Sequence, residues 1–342
     1  MSASTATLPR RQSKLPLGLQ PHHLTFALYF TSIVVIGTTY SVLYGTHLQN
    51  VRISSGATGD FPSTLPGAAV APAPVQNTVE GSLNLGPIPP TILLPPHHAL
   101  NYWANRKNIV NQLFVKKAWL WTTLAWGMQL FFLRLAPPRV DKKKDEDAVA
   151  TEQATITSPV SISVLRYLVA TSAWLLFANW FFGPPLSERI LTATGAVCVP
   201  TGTGGGKVEE MYCRTRTPLA SDHPALHSSG LTAKNVRAMW KGGHDISGHT
   251  FIMVLSSLLL LEDVAPYLAA LLGRSLFGKS TAQASRTRWT GTAYAAVGVT
   301  LGLVGLWSWM LLNTAIYFHT PQEKVSGLVV GLAAWLVLPK GN

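Results

Sequence analysis

Apolar runs of close to twenty positions, each nearly free of charge, alternate along this chain with polar and proline-rich connections. About 20 such residues in helical form cross a bilayer core. Six stretches meet that description: Leu24 to Tyr44, Ala118 to Leu135, Ile162 to Phe182, Gly248 to Leu268, Thr292 to Leu312 and Pro321 to Leu338. The pattern predicts an all-α membrane protein, a six-transmembrane-helix bundle with long lumenal loops. Glu262 and Asp263 imply that the hydrocarbon part of the fourth span ends early, and no opposite-charge pair is expected within the spans. The sixth spans only if Gln322 to Lys324 sit in the head-group layer. Gly298 with Gly302, and Gly327 with Gly331, are small-residue pairs compatible with spans five and six packing together.

The connections complete the organisation. A cytosolic tail (1–23) precedes a transmembrane domain (24–338), which contains a proline-rich loop at 45–117 and a second long loop at 183–247, and a short tail (339–342) follows. The first loop holds nine prolines from Pro62 to Pro96 and reads as an extended excursion. A charged run from Asp141 to Asp147 reads as a solvated loop. The short loops Arg134 to Arg166 and Arg274 to Arg288 are densely basic, which favours cytosolic termini by the positive-inside rule. The two long loops then face the lumen and carry both cysteines, Cys198 and Cys213, on either side of a Thr/Gly-rich patch from Thr201 to Gly206. A disulfide between them is feasible there, and two free thiols fit the spacing equally well.

Composition agrees with the membrane class. Only 12% of the 342 residues are charged, against about 25% in soluble domains. The net charge of +12 is dispersed, with no basic block, so nucleic-acid binding is a poor reading. Anionic lipid head groups or an anionic substrate fit better.

Two segments carry candidate chemistry. Gly242-Gly243-His244-Asp245-Ile246-Ser247-Gly248-His249 opens the fourth span, and Tyr317-Phe318-His319-Thr320-Pro321-Gln322-Glu323-Lys324 opens the sixth. Two crossings separate them, so His249 and His319 belong on one face of the bilayer whatever the orientation. Both sit where a helix begins, and there unpaired N–H groups and the positive dipole end favour an anion such as phosphate. Histidine supplies the nucleophile, base and acid that phosphoryl chemistry needs. Plainer readings stand beside these. Each histidine fits as an interfacial polar residue, and Thr320-x-x-Glu323 is a capping box that would make Glu323 structural. Asp245, His249 and His244 have the spacing of metal ligands, although no cysteine or further carboxylate joins them. No metal or cofactor is expected. The pairs His22-His23 and His97-His98, and His223 with His227, read as solvated.

These two segments resemble the signature segments of the fat storage-inducing transmembrane (FIT) family, in the family's order near the starts of the fourth and sixth spans. The proline-rich first loop looks like an insertion of the fungal type. FIT proteins are in turn similar to lipid phosphate phosphatases, in which a Ser-Gly-His motif supplies the acid and a later histidine with an acidic partner supplies the nucleophile. Ser247-Gly248-His249 matches the first element, and His319 with Glu323 matches the second, Glu replacing the usual Asp. The resemblance implies an endoplasmic reticulum enzyme that cleaves the diphosphate of fatty acyl-CoA. The products would be acyl 4′-phosphopantetheine and adenosine 3′,5′-bisphosphate, in support of lipid droplet formation and membrane homeostasis. His249 and His319 would be catalytic, with Asp245, Ser247 and Glu323 supporting them. The phosphatases' phosphate-binding Lys and Arg-Pro motif has no clear counterpart. Lys234, Arg237 and Lys241 are the cations placed to serve instead. Phosphatidate or lysophosphatidate hydrolysis by the same residues, and non-catalytic binding of di- and triacylglycerol, are the alternatives.

Overall fold

The computed structural model describes residues 19–46, 52–54, 91–93, 101–105, 107–135, 160–178, 183–200, 207–219, 236–272 and 291–340. Most of the proline-rich loop, the run Asp141 to Asp147, the patch Thr201 to Gly206, the stretch Arg274 to Arg288, and His97, His98, His223, His227 and Lys234 lie outside them.

Among the described residues, six helices form the bundle. They are α1 (Pro21–Tyr44), α2 (Ala118–Gln129, continued by π-helical turns over Leu130–Leu135), α3 (Val160–Ala178), α6 (Gly248–Leu272), α7 (Gly291–Tyr317) and α8 (Pro321–Leu336). Two shorter helices, α4 (Leu186–Ala193) and α5 (Glu210–Thr215), lie between α3 and α6. There β3 (Val197–Pro200) pairs antiparallel with β4 (Ala238–Lys241), and a second small pair joins β1 (Arg52–Ser54) to β2 (Thr91–Leu93). Among the described residues, Pro21–Tyr44, Val160–Ala178, Gly248–Ala269 and Gly291–Tyr317 are long and apolar enough to cross a membrane.

The outward faces are as apolar as the inward ones. On α1, Phe26, Phe30, Val34, Gly37 and Ser41 turn inward at helical spacing, while Leu28, Val35, Ile36 and Leu43 stand exposed. A soluble amphipathic helix would set polar side chains on that outer face. Lipid is the solvent this surface fits. Pro21 in the first turn and left-handed Gly45 after the last fix the limits of α1, as their backbone preferences favour. At the centre lies α6, almost wholly buried and packed against α2, α3, α7 and α8.

The glycines pack differently from the sequence expectation. A Cβ on Gly327 of α8 would come within 2.6 Å of the Ser247 carbonyl oxygen, and one on Gly331 within 3.2 Å of that of Phe251. The last pair therefore seats α8 on α6, not on α7, while Gly298 and Gly302 of α7 meet nothing within 4 Å. Gly327→Leu is expected to destabilise the protein by about 1–3 kcal/mol through overpacking. Gly298→Leu should leave it nearly unchanged, and thermal melts of the two variants check the contrast.

A second correction concerns charge. Glu262 and Asp263 do not mark the early end of a span, because α6 continues past both to Leu272 and both are buried. Asp263 Oδ1 accepts from Arg134 Nη2 (2.7 Å) and Arg166 Nη1 (2.8 Å), and Ser163 Oγ donates to the other carboxylate oxygen. Glu262 Oε1 accepts from Trp335 Nε1 (2.8 Å) and Lys340 Nζ (3.0 Å), and Glu262 Oε2 lies 3.1 Å from His23 Nε2. Burial pushes the Lys340 ammonium below its ordinary range, against the pull of Glu262. His23, expected in solvent, is thus buried in the bundle, and the arginines expected to border a cytosolic loop turn inward. Opposite charges do pair between helices, against the sequence expectation of none within the spans. Pro266 adds to the local demand: it has no N–H to offer the Glu262 carbonyl one turn back.

Candidate active site

The approach to the first histidine segment is built by the small unit around β3 and β4. Cys198 on β3 and Cys213 on α5 are bonded, with their Cα atoms 5.9 Å apart, and Val208, Leu219, Val236 and Ala238 bury against them. β4 then ends in Gly242 and Gly243, with φ of 78° and 71°. That left-handed region is costly for residues with a Cβ. A Cβ on Gly243 would also collide with the Leu191 carbonyl. The double glycine thereby turns the chain from the strand into His244, whose N–H donates to Thr194 Oγ1 (2.7 Å).

From there α6 begins. Ser247 is fully buried, and its Oγ accepts from the Thr250 N–H (3.3 Å) and lies 2.9 Å from Thr250 Oγ1. This is the N-cap geometry that satisfies an orphan donor at a helix start. Ser247 takes the capping role, and Asp245, two residues earlier, stands exposed. Gly248 and His249 form the first turn, with His249 partly exposed.

The second segment reaches the same place. α7 ends at Tyr317, and His319 takes a left-handed φ of 57° before α8 starts. A histidine in that region carries a backbone cost of order 1–3 kcal/mol and persists only where its surroundings impose it. Glu323 imposes part of it. Its Oε2 accepts from the Thr320 N–H (2.8 Å), while the Glu323 N–H donates back to Thr320 Oγ1 (3.3 Å). The same Oε2 lies 3.4 Å from His319 Nδ1. The two sequence readings of Glu323, helix cap and histidine partner, are met at once by one oxygen.

The segments are joined directly. The Ser247 N–H donates to the Glu323 carbonyl at 3.1 Å, and Ser326 Oγ, which donates to that carbonyl, lies 2.9 Å from His244 Nε2. Two helix N-termini, one led by His249 and one by His319, therefore converge at one end of the bundle. Among the cations named from sequence, Arg237, just before β4, and Lys241, at its end, are both exposed on the segment leading into the motif. Lys234 lies outside the described residues.

Sequence reasoning missed the residues that brace this end. Lys324, expected in the head-group layer, has no exposed surface. Its Nζ donates to the Ala315 carbonyl (2.6 Å) and to Ser41 Oγ (3.1 Å). Thr46 Oγ1 donates to the Ile316 carbonyl. These carbonyls belong to the last turn of α7, where no helical N–H remains to serve them. The available signal was a lysine at i+4 from a Thr cap on an otherwise apolar helix. Asn101 and Ser326, both in contact with motif residues, gave no such signal.

Comparison with known proteins gives a consistent result. The family model described as fat storage-inducing transmembrane protein matches residues 99–338. The chain is 29% identical to acyl-coenzyme A diphosphatase fit1 of Schizosaccharomyces pombe over 238 residues, covering 70% of this chain and 72% of the relative. Acyl-coenzyme A diphosphatase FITM2 is 30% identical over 241 residues in Xenopus laevis (69% and 71% covered) and 25% identical over 267 residues in Homo sapiens (76% and 77%). No solved structure matches the chain. The matched stretch contains both histidine segments and leaves α1 outside it, and on that match the chain belongs to the fat storage-inducing transmembrane family.

Proposed function

We propose that this protein is a fatty acyl-CoA diphosphatase of the endoplasmic reticulum membrane. It crosses the bilayer six times, with cytosolic termini and the histidine site facing the lumen. The observation that carries the reading is the backbone bond from Ser247 to Glu323, which sets the starts of α6 and α8 side by side with a histidine at each. The names of the relatives supply the substrate class.

In this reading the diphosphate sits across the two helix N-termini, whose positive dipole ends offset its charge. Arg237 and Lys241, with Lys234, supply the cationic neutralisation that phosphoryl transfer requires. Glu323 holds the proton of His319 on Nδ1, which leaves the Nε2 lone pair to attack the phosphorus bearing the pantetheine arm. An N–P bond forms as the bridging P–O bond breaks. His249 gives a proton to the departing oxygen, and adenosine 3′,5′-bisphosphate leaves. His249, now neutral, takes a proton from water, which hydrolyses the N–P bond and releases acyl 4′-phosphopantetheine. Ser247 acts through the helix cap, with its hydroxyl buried away from substrate, and Asp245 stays at the solvent side to orient His249. The protein's role in droplet formation follows from control of acyl-CoA and its products in the membrane.

Purified protein in lipid nanodiscs should release adenosine 3′,5′-bisphosphate and acyl 4′-phosphopantetheine from oleoyl-CoA in equal amounts. Faster release of inorganic phosphate from phosphatidate, without acyl-CoA cleavage, would replace this reading with a phosphatidate phosphatase.

A further inference from the structure

We infer that the cavity between α2 and α7 is the subsite for the substrate's fatty acyl chain, so that this groove determines chain-length specificity; the inference rests on the acyl-CoA reading above. The cavity holds about 320 Å³, at the small end of the range for ligand sites. One alkyl chain fits such a volume, and the three chains of a triacylglycerol do not. Its wall is apolar, formed on one side by Trp121, Leu124 and Met128 and on the other by Gly302, Leu303 and Leu306. Leu124 is 55% exposed, so the groove opens sideways toward lipid, the phase from which an acyl chain arrives.

Position along α7 gives the stronger argument. At 100° per residue, Gly302, Leu306, Trp309, Asn313 and Tyr317 fall on one strip of the helix. The strip is apolar at the groove and becomes polar as it approaches His319. Trp309 lies against Trp103 (ring centroids 5.6 Å apart), and Tyr317 takes a hydrogen bond from the Asn101 amide. From the end of α7 at Tyr317 back to Leu306 is eleven residues, or about 16 Å of helix. An extended pantetheine arm reaches roughly 17 Å from phosphorus to sulfur, judged from ordinary bond lengths. A phosphorus held at His319 therefore sets the thioester level with Leu306, at the upper edge of the groove, and the acyl chain runs on past Gly302. The order anion, polar amides, alkyl chain in acyl-CoA matches the order histidine site, polar strip, apolar groove in the protein.

Gly302 provides the test. A Cβ there meets nothing within 4 Å, so position 302 accepts a side chain and Gly302→Phe places its ring in the groove. Gly305, equally open and at similar depth but outside the groove wall, gives the control Gly305→Phe. Cleavage of oleoyl-CoA and butyryl-CoA is compared for wild type and both variants in nanodiscs. Wild-type protein is also photolabelled with a diazirine-bearing oleoyl-CoA and its labelled peptides are identified. The expected result is a fall of about tenfold or more in kcat/KM for oleoyl-CoA in Gly302→Phe alone, butyryl-CoA cleavage within twofold of wild type, and label on Met128 or Leu306 peptides. Equal effects on both substrates, no effect on either, or label confined to other helices would overturn the proposal. If wild-type protein cleaves neither substrate, the diphosphatase reading fails, and the labelling decides the groove separately.

Discussion

His319→Ala is expected to abolish acyl-CoA cleavage, with a loss of at least about 10³-fold in kcat, because in the proposed mechanism His319 forms the covalent bond to phosphorus. His249→Ala should behave differently. Removing a general acid costs about 10²–10⁴-fold when the leaving oxygen needs a proton. That loss should shrink sharply on an aryl phosphodiester of acyl pantetheine, whose leaving group departs unprotonated. Rapid-quench detection of a phosphorylated protein on that aryl substrate in the His249 variant, and never in the His319 variant, separates the two roles. Full activity in His319→Ala would remove the mechanism. Similar recovery of both variants on the aryl substrate would show that the assigned roles are wrong.

Asp263→Ala should be the most damaging single change to the fold away from the site. It leaves Arg134 and Arg166 buried without the carboxylate that both now contact. Breaking a buried pair in this way costs about 3–5 kcal/mol, most of it the burden of uncompensated charge. The triple variant Asp263→Leu, Arg134→Met, Arg166→Met removes charge and partner together, and it should recover most of the lost stability. Thermal unfolding in detergent tests both statements. A triple variant no more stable than Asp263→Ala would mean that this cluster does more than balance charge.

The helices were readable because twenty apolar residues in a row have few uses besides crossing a bilayer, and among the described residues each of the six expected stretches holds a helix. The convergence of the histidine segments was also readable, because it follows from counting crossings, and the Ser247–Glu323 bond bears it out. The charged interior was not. An arginine at the end of an apolar run looks interfacial when read locally, and nothing near Arg134 or Arg166 reveals a carboxylate about a hundred residues away. His23 was hidden for the same reason, since its partner Glu262 is 239 residues distant. The glycine pairs misled in a related way. Their spacing reports that some backbone can approach closely, and only the three-dimensional packing reports which one. Lys324 shows the limit most clearly: its length and charge fitted a head-group position, yet the last turn of α7 had carbonyls in need of a donor.

The left-handed backbone at His319 has one more consequence. A histidine stands where glycine would rest more comfortably, so under the proposed mechanism durability and turnover pull in opposite directions at this position. Replacing the whole side chain by hydrogen, His319→Gly, would relax the backbone and, in the proposed mechanism, silence the enzyme in the same stroke. A search for hardier variants that monitors melting temperature alone would be drawn to this residue and would select a sturdier, inert protein.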